Sequence, residues 1–188
     1  MTAPAFLLFG AHGDLALRML WPSLFRLHCD GSLPADMAVF GISRSGSTDE
    51  LHVHLHKSLA DELNEGNRAH FDSFLAKVEF VNLDAGQAAD YAGLADILRG
   101  RGRHVAISYL SMPPDLFAPI VENLQAAGLI DPRTRVILEK PIGKDLASAT
   151  AINDGVAEVF DEDRVYRVDH DLGKETVDTD LIDESDET

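Results

Sequence analysis

Ala5-Phe6-Leu7-Leu8-Phe9-Gly10-Ala11-His12-Gly13-Asp14 is the stretch on which the fold turns. Five apolar residues follow one another without a polar break, as in a strand buried on both faces of a parallel sheet. Gly10 ends the run, and a short loop leads to Gly13. A helical pattern then covers residues 14–29, with Leu17, Leu20, Leu24 and Leu27 at three- and four-residue steps on one face. Pro22 lies inside it and removes a backbone donor, so a kink or restart is expected there. Asp30-Gly31 stops the helix.

The same alternation continues along the chain. Residues 37–42 read as a second strand. Ser47, with Glu50 three residues on, has capping-box spacing and opens a helix with Leu51, Leu55, Leu59 and Leu63 every fourth residue. Residues 78–83 form a third strand and residues 88–98 a helix. Residues 105–110 form a fourth strand, broken at Pro113-Pro114, before a helix carrying Leu116, Ile120, Val121 and Leu124. Residues 136–138 are a fifth strand, closed by Glu139-Lys140-Pro141. A helix over residues 145–160 presents Leu146, Ile152, Val156 and Val159, and a last extended piece covers residues 165–169. Strands alternating with helices predict an α/β fold: a doubly wound, Rossmann-like, mostly parallel sheet in a single domain.

That fold gives the first turn a chemical meaning. Between a buried strand and a helix, glycines let backbone approach a ligand, and the helix start offers free N–H groups to a phosphate. Gly10 and Gly13 supply the last two glycines of G-x-G-x-x-G, with Leu8 in place of the first. A plain tight turn is the other reading. The second strand ends Gly41-Ile42-Ser43-Arg44, with no acid before Asp49. An acid there suits a ribose 2′-hydroxyl, whereas an arginine suits a 2′-phosphate, so NADP is expected over NAD. An arginine merely exposed on a loop is the alternative.

Composition removes several function classes. The 188 residues carry 32 acids and 16 bases, a formal net charge of −16. That charge argues against sequence-independent nucleic-acid binding, which needs a basic face, and disfavours an anionic membrane surface. No apolar run reaches the ~18 residues of a membrane span, and no basic segment precedes the first apolar run, which disfavours a secretory signal. The single cysteine, Cys29, forms no intrachain disulfide and fits a reducing, cytoplasmic setting. Charge is uneven: residues 161–188 hold 12 acids and 3 bases, and seven acids follow Lys174 with no base. We read a solvated acidic tail there.

Other candidates are weaker. His52, His54 and His56 suggest a metal cluster, but on a helix only His52 and His56 share a face, so no metal site is expected. His28 and His70 read as surface or core-edge residues, and Cys29 as chemically inert. Arg167, His170 and Lys174 form a compact cationic group suited to a phosphorylated substrate, with Asp169 placed to orient the His170 ring. An ordinary turn of mixed charge is the alternative.

Five motifs now carry a resemblance: Phe9-Gly10-Ala11-His12-Gly13-Asp14-Leu15-Ala16 with Asp30-Gly31-Ser32-Leu33-Pro34; Tyr109-Leu110-Ser111-Met112-Pro113-Pro114; Glu139-Lys140-Pro141-Ile142-Gly143; Tyr166-Arg167-Val168-Asp169-His170; and Leu172-Gly173-Lys174-Glu175. In this order they resemble the N-terminal coenzyme-binding domain of the glucose-6-phosphate dehydrogenase family. The resemblance covers residues 1–177 as an NADP-binding domain; residues 178–188 depart from it as the acidic tail.

The resemblance implies oxidation of glucose 6-phosphate to 6-phosphogluconolactone with hydride transfer to NADP⁺, the entry to the pentose phosphate pathway. It implies that Gly10, Gly13, Asp14, Leu15, Ser43, Arg44, Leu110 and Lys140 bind cofactor. Lys140, His170 and Lys174 would bind substrate, and Pro141 would follow a cis peptide. The family's larger C-terminal domain, with its catalytic base and oligomer interface, has no counterpart here, so no catalytic residue is assigned. A truncated or diverged non-catalytic NADP-binding module is the alternative, and another NADP-dependent sugar oxidoreductase a third. Two positions depart: His12 replaces a small residue, and Asp171 replaces a tyrosine, setting a carboxylate beside a dianionic phosphate, which costs binding energy.

Overall fold

Six strands form one sheet in a computed structural model that describes residues 2–169. They are β1 (Ala3–Phe9), β2 (Ala38–Ser43), β3 (Val78–Asn82), β4 (Arg103–Leu110), β5 (Arg135–Glu139) and β6 (Val165–Val168). Their order is β3-β2-β1-β4-β5-β6, and every pairing is parallel. The chain therefore winds outward in both directions from β1, and the order reverses between β1 and β4. In such sheets ligands bind outside the carboxyl ends of the strands at that reversal.

Burial explains the uninterrupted apolar run. Leu7 and Phe9 pack into one core with Tyr91, Leu94, Phe117 and Ile120, whereas Phe6 and Leu8 pack into a second with Trp21, Leu55 and Phe74. Helices α4 (Asp90–Gly100), α5 (Phe117–Ala126) and α6 (Leu146–Ala157) supply the first core. Helices α1 (Trp21–Cys29), α2 (Thr48–Ser58) and α3 (Arg68–Leu75) supply the second. With both faces covered, no strand position on β1 from Ala5 onward is free to be polar.

The first helical stretch differs from its leucine pattern. A π-helical turn over Ala16–Leu20 precedes α1, and the Trp21 N–H donates to the Ala16 carbonyl, five residues back. Pro22 then sits in the first turn of α1, where its missing donor costs nothing. The buried face is Leu20, Trp21, Leu24 and Phe25, and Leu27 is 44% exposed. At ~100° per residue, Leu27 lies roughly 110° from the centre of the Trp21, Leu24 and Phe25 face of α1.

Three further differences have local causes. The four-residue leucine repeat breaks after α2: Leu51, Leu55 and Leu59 are fully buried, but the helix ends at Ser58. Leu63 lies in the turns leading to α3, which the leucine spacing did not reveal because Phe71 and Phe74 anchor it. Leu146, the first residue of α6, is 84% exposed, so Val156 and the partly buried Ile152 and Val159 carry that contact. Residues 170–188, including the acidic tail, lie outside the described residues.

Candidate functional site

Parallel register brings distant segments to one edge. Val81, Ile42, Phe9, Leu110, Leu138 and Arg167 are cross-strand partners in a single row. One residue further on lie Asn82, Ser43, Gly10, Ser111, Glu139 and Val168. A cleft of about 530 Å³ opens above the β3, β2, β1 and β4 part, lined by Gly10, His12, Ser43, Arg44, Asp84 and Met112 among others.

Its floor is the turn after β1. Gly10 has φ +80°, and a Cβ there would overlap the Ser111 carbonyl oxygen. Only glycine allows this backbone to pass under the β4 loop. The Gly10 N–H donates to Ile42 O at 2.9 Å, and the Gly13 N–H closes the turn on Gly10 O at 2.8 Å. From behind, the buried Trp21 indole donates to Ala11 O at 2.9 Å. Gly41 leaves room for this packing, since a Cβ would come within 2.8 Å of Leu51 and 3.0 Å of Ala11. The Leu17 N–H donates to Gly13 O at 3.0 Å, so the amides between them, including Asp14 and Leu15, stand at the open end of the helix. Asp14 itself is exposed and paired with Arg18 at 3.4 Å.

The wall at β2 carries the cation. The Ser43 carbonyl accepts from the Leu83 N–H at 3.0 Å, which pins the loop's start to β3. Arg44 is exposed on the cleft and, among the described residues, has no ion pair or hydrogen bond. Arginines 18, 26, 99, 101, 133, 164 and 167 are each paired with a carboxylate. In so acidic a chain, an unpaired guanidinium at a cleft keeps its fork of N–H donors open to an anion.

His12 fills the space between the turn and this wall. Its ring stacks on Phe80 at 5.0 Å between centroids and meets His54 edge-on at 5.1 Å. Burial, then the nearby His54, hold its pKa below the usual histidine value of 6.5, against smaller opposing effects of Glu50 and the Ser45 backbone.

Other expected residues are distributed differently. Leu110 is fully buried beneath the cleft, and Met112 and Pro113 form the lining on that side. Lys140 is exposed at the end of β5 on the same edge, outside the cleft lining. Its N–H donates to Val168 O at 2.9 Å and its ammonium lies 4.0 Å from Asp169. The Lys140–Pro141 peptide is cis. Tyr109 reaches from β4 to the Glu139 carboxylate, and burial first, then that carboxylate, push its phenol pKa up. This buttress under the β5 end was not singled out in the sequence, where Tyr109 and Glu139 stand thirty positions apart.

Among the described residues, Arg167 is already engaged. Its guanidinium is bound by Glu162 at 2.6 Å and by Asn153 at 2.9 Å, because β6 turns it toward α6. His170 and Lys174 lie outside the described residues. The histidines of α2 have separate surroundings: His52 hydrogen-bonds Val78 O at 3.0 Å, His54 meets His12, and His56 packs on Phe71. Among the described residues no group of three potential ligands could hold a metal, and no helix is long and apolar enough to cross a membrane. His28 bonds the Ser73 hydroxyl at 2.7 Å. Cys29 is half-buried, and burial pushes its thiol pKa up, which suppresses the reactive thiolate.

Comparison with known proteins agrees with this geometry. Residues 7–179 match the family described as glucose-6-phosphate dehydrogenase, NAD binding domain. The chain is 39% identical over 181 residues to the glucose-6-phosphate 1-dehydrogenase of Mycolicibacterium smegmatis, covering 92% of this chain and 36% of that one. It is 42% identical over 182 residues to the enzyme of Zymomonas mobilis, covering 94% and 37%. Among solved structures, a glucose-6-phosphate dehydrogenase in complex with glucose 6-phosphate superposes with a TM-score of 0.81 at 29% identity, over 93% of this chain and 38% of that one. The enzyme of Mycobacterium avium gives a TM-score of 0.80 at 34% identity, over 92% and 37%. The chain thus spans little more than a third of the length of these relatives. On sequence and architecture alike, it belongs to the glucose-6-phosphate dehydrogenase family and corresponds to the family's NAD-binding domain.

Proposed function

We propose that this chain binds NADP⁺ as the coenzyme-binding part of a glucose-6-phosphate 1-dehydrogenase, whose reaction oxidises glucose 6-phosphate to 6-phosphogluconolactone. The observation that carries the choice of cofactor is Arg44, an unpaired guanidinium on the cleft wall directly across from the glycine turn. The fit to a dinucleotide rests on the Gly10 turn, whose side-chain-free backbone packs under the β4 loop and lines the cleft. When bound, NADP⁺ accepts the hydride.

The chain's own groups then have separable tasks. The Gly10–Gly13 turn admits a pyrophosphate, and the amides at Asp14 and Leu15 offer it the positive end of the helix. Ser43 and Arg44 hold the 2′-phosphate through hydroxyl and guanidinium donors. Leu110 supports the cleft from below. Lys140, within 4.0 Å of Asp169, stands where it can reach from cofactor to sugar. His170 and Lys174 bind the substrate by their place in the family motif. We assign no catalytic base to this chain. A cytoplasmic location and oligomerisation through the remainder of the family protein belong to the same proposal.

The test is cofactor discrimination by the chain itself, titrated with NADP⁺ and NAD⁺ and followed through Trp21, its one tryptophan. NADP⁺ is expected to bind more tightly. Arg44→Ala should weaken NADP⁺ by about 10- to 100-fold, the size of one charge-assisted contact, and leave NAD⁺ nearly unchanged. Equal weakening of both cofactors overturns the 2′-phosphate assignment. Binding of neither by the wild-type chain overturns the coenzyme role.

A further inference from the structure

His12 joins two parts of the cleft that the sequence holds thirty residues apart. It belongs to the phosphate turn, yet its ring lies against Gly46 of the Arg44 loop, where a Cβ would come within 2.7 Å of its Cε1. Its Nε2 is closed to solvent and has no hydrogen-bond partner. The ring lines both the main cleft, with Arg44, and an adjoining cavity of about 290 Å³ formed with Ser45, Gly46, Glu50 and His54.

Resting on the reading that a 2′-phosphate sits at Arg44, we propose that His12 is a proton-linked specificity determinant. It takes up one proton from solvent when a phosphomonoester enters the Arg44 end of the cleft. The one bond made is the second N–H of the imidazolium, its proton supplied by solvent and buffer, and no other bond changes. The imidazolium adds a second cation to the phosphate's surroundings, and a ligand lacking that phosphate draws no proton.

The charged groups around the ring set the balance. From α2, His54 opposes protonation and Glu50 favours it. From the β2 loop, Arg44 lines the same cleft. On the far wall Asp84 lines that cleft as its facing carboxylate. From β3 the ring meets only the Phe80 face, since Glu79 is engaged by Arg101. In the free protein His12 is neutral at pH 7, because burial and His54 keep its pKa below 6.5. A dianion close to the ring reverses that balance, as an opposite charge within about 4–6 Å favours the charged form.

The experiment is calorimetric titration of NADP⁺ and NAD⁺ into the wild-type chain, His12→Gln and His12→Ser between pH 6.5 and 8. Two buffers of different ionisation enthalpy report proton uptake. In wild type, the NADP⁺ preference should rise by about threefold to tenfold more on acidification than in either variant. About half a proton or more should accompany NADP⁺ near pH 7, and none NAD⁺. His12→Gln keeps the bulk beside Phe80 and Gly46, so loss of the pH slope there reports lost titration rather than lost packing. A clear NADP⁺ preference with the same slope in wild type and His12→Gln overturns the proton linkage and leaves the Arg44 assignment standing. Equal affinity for NADP⁺ and NAD⁺ at every pH, with no proton uptake, overturns both.

Discussion

Trp21→Phe tests whether the coenzyme turn is held from behind by a helix of the core. The indole is fully buried, and its Nε1 donates to Ala11 O at 2.9 Å, inside the turn between Gly10 and Gly13. Phenylalanine removes that donor and leaves the Ala11 carbonyl without its partner, at a cost of about 1–3 kcal/mol. It also removes ring volume from a tightly packed site, where the Cζ2 atom lies 3.2 Å from where a Gly41 Cβ would be, adding about 1 kcal/mol for the void. The sum is about 2–4 kcal/mol, or a fall in Tm of roughly 5–12 °C for a domain of this size. Urea unfolding followed by far-UV circular dichroism is the assay, since the substitution removes the chain's one tryptophan. NADP⁺ affinity, read by calorimetry, should fall severalfold as the turn loosens. A variant within about 0.5 kcal/mol of wild type, the range of ordinary surface changes, would refute the reasoning.

Two other outcomes are expected. Gly10→Ala meets both the left-handed backbone and the Ser111 carbonyl, so it should cost more than about 2 kcal/mol and abolish cofactor binding, as denaturation and titration would show. Asp131 accepts from Arg133, which holds its carboxyl pKa below the ordinary 3.8. A carboxyl whose folded value is depressed stabilises the fold above its unfolded value and loses that contribution as pH falls through the folded one. Asp131→Asn should therefore unfold at lower denaturant than wild type at pH 7, with the gap closing below pH 3.8. A gap of constant size from pH 7 to pH 2 would contradict this.

The sheet was legible because its cause is local. A run such as Ala5 to Phe9 can be apolar throughout only if both faces are covered, and that condition implies the helices on either side. The glycine turn was legible for a similar reason, as Gly10 is required by close approach of backbone and Gly13 closes tightly on its carbonyl, which their spacing records. Long-range packing was less visible. Leucine periodicity set Leu27 and Leu63 on buried helix faces, but a π turn rotates the first helix, and the second ends before Leu63. The short helix α3 has only Phe71 and Phe74 fully buried, too few to form a periodic signal. Arg167 read as a substrate cation because its neighbours in sequence are charged. Among the described residues it is bound by Asn153 and Glu162, contacts that its charged sequence neighbours did not reveal, while His170 and Lys174 lie outside the described residues.

Register decides what the strand ends can do together. Along β1 the pairing with β4 runs Ala5 with Val105 and then Phe6 with Ile107, so β4 carries one extra residue at Ala106. Without it Phe9 would face Tyr109; with it Phe9 faces Leu110. A shift of one residue exchanges the faces of a strand. The irregularity thus puts Leu110 in the core beneath the cleft and turns Tyr109 to the other face, where its hydroxyl reaches Glu139. It also sets the Ser111 carbonyl against Gly10, the contact that makes glycine obligatory in the turn. From there β5 follows in step, Leu110 beside Leu138, and delivers Lys140 two strands from Gly10, roughly 10 Å across the sheet. One inserted residue in a central strand therefore links three motifs far apart in the chain, and the motifs can act on one ligand only because that link fixes their distances.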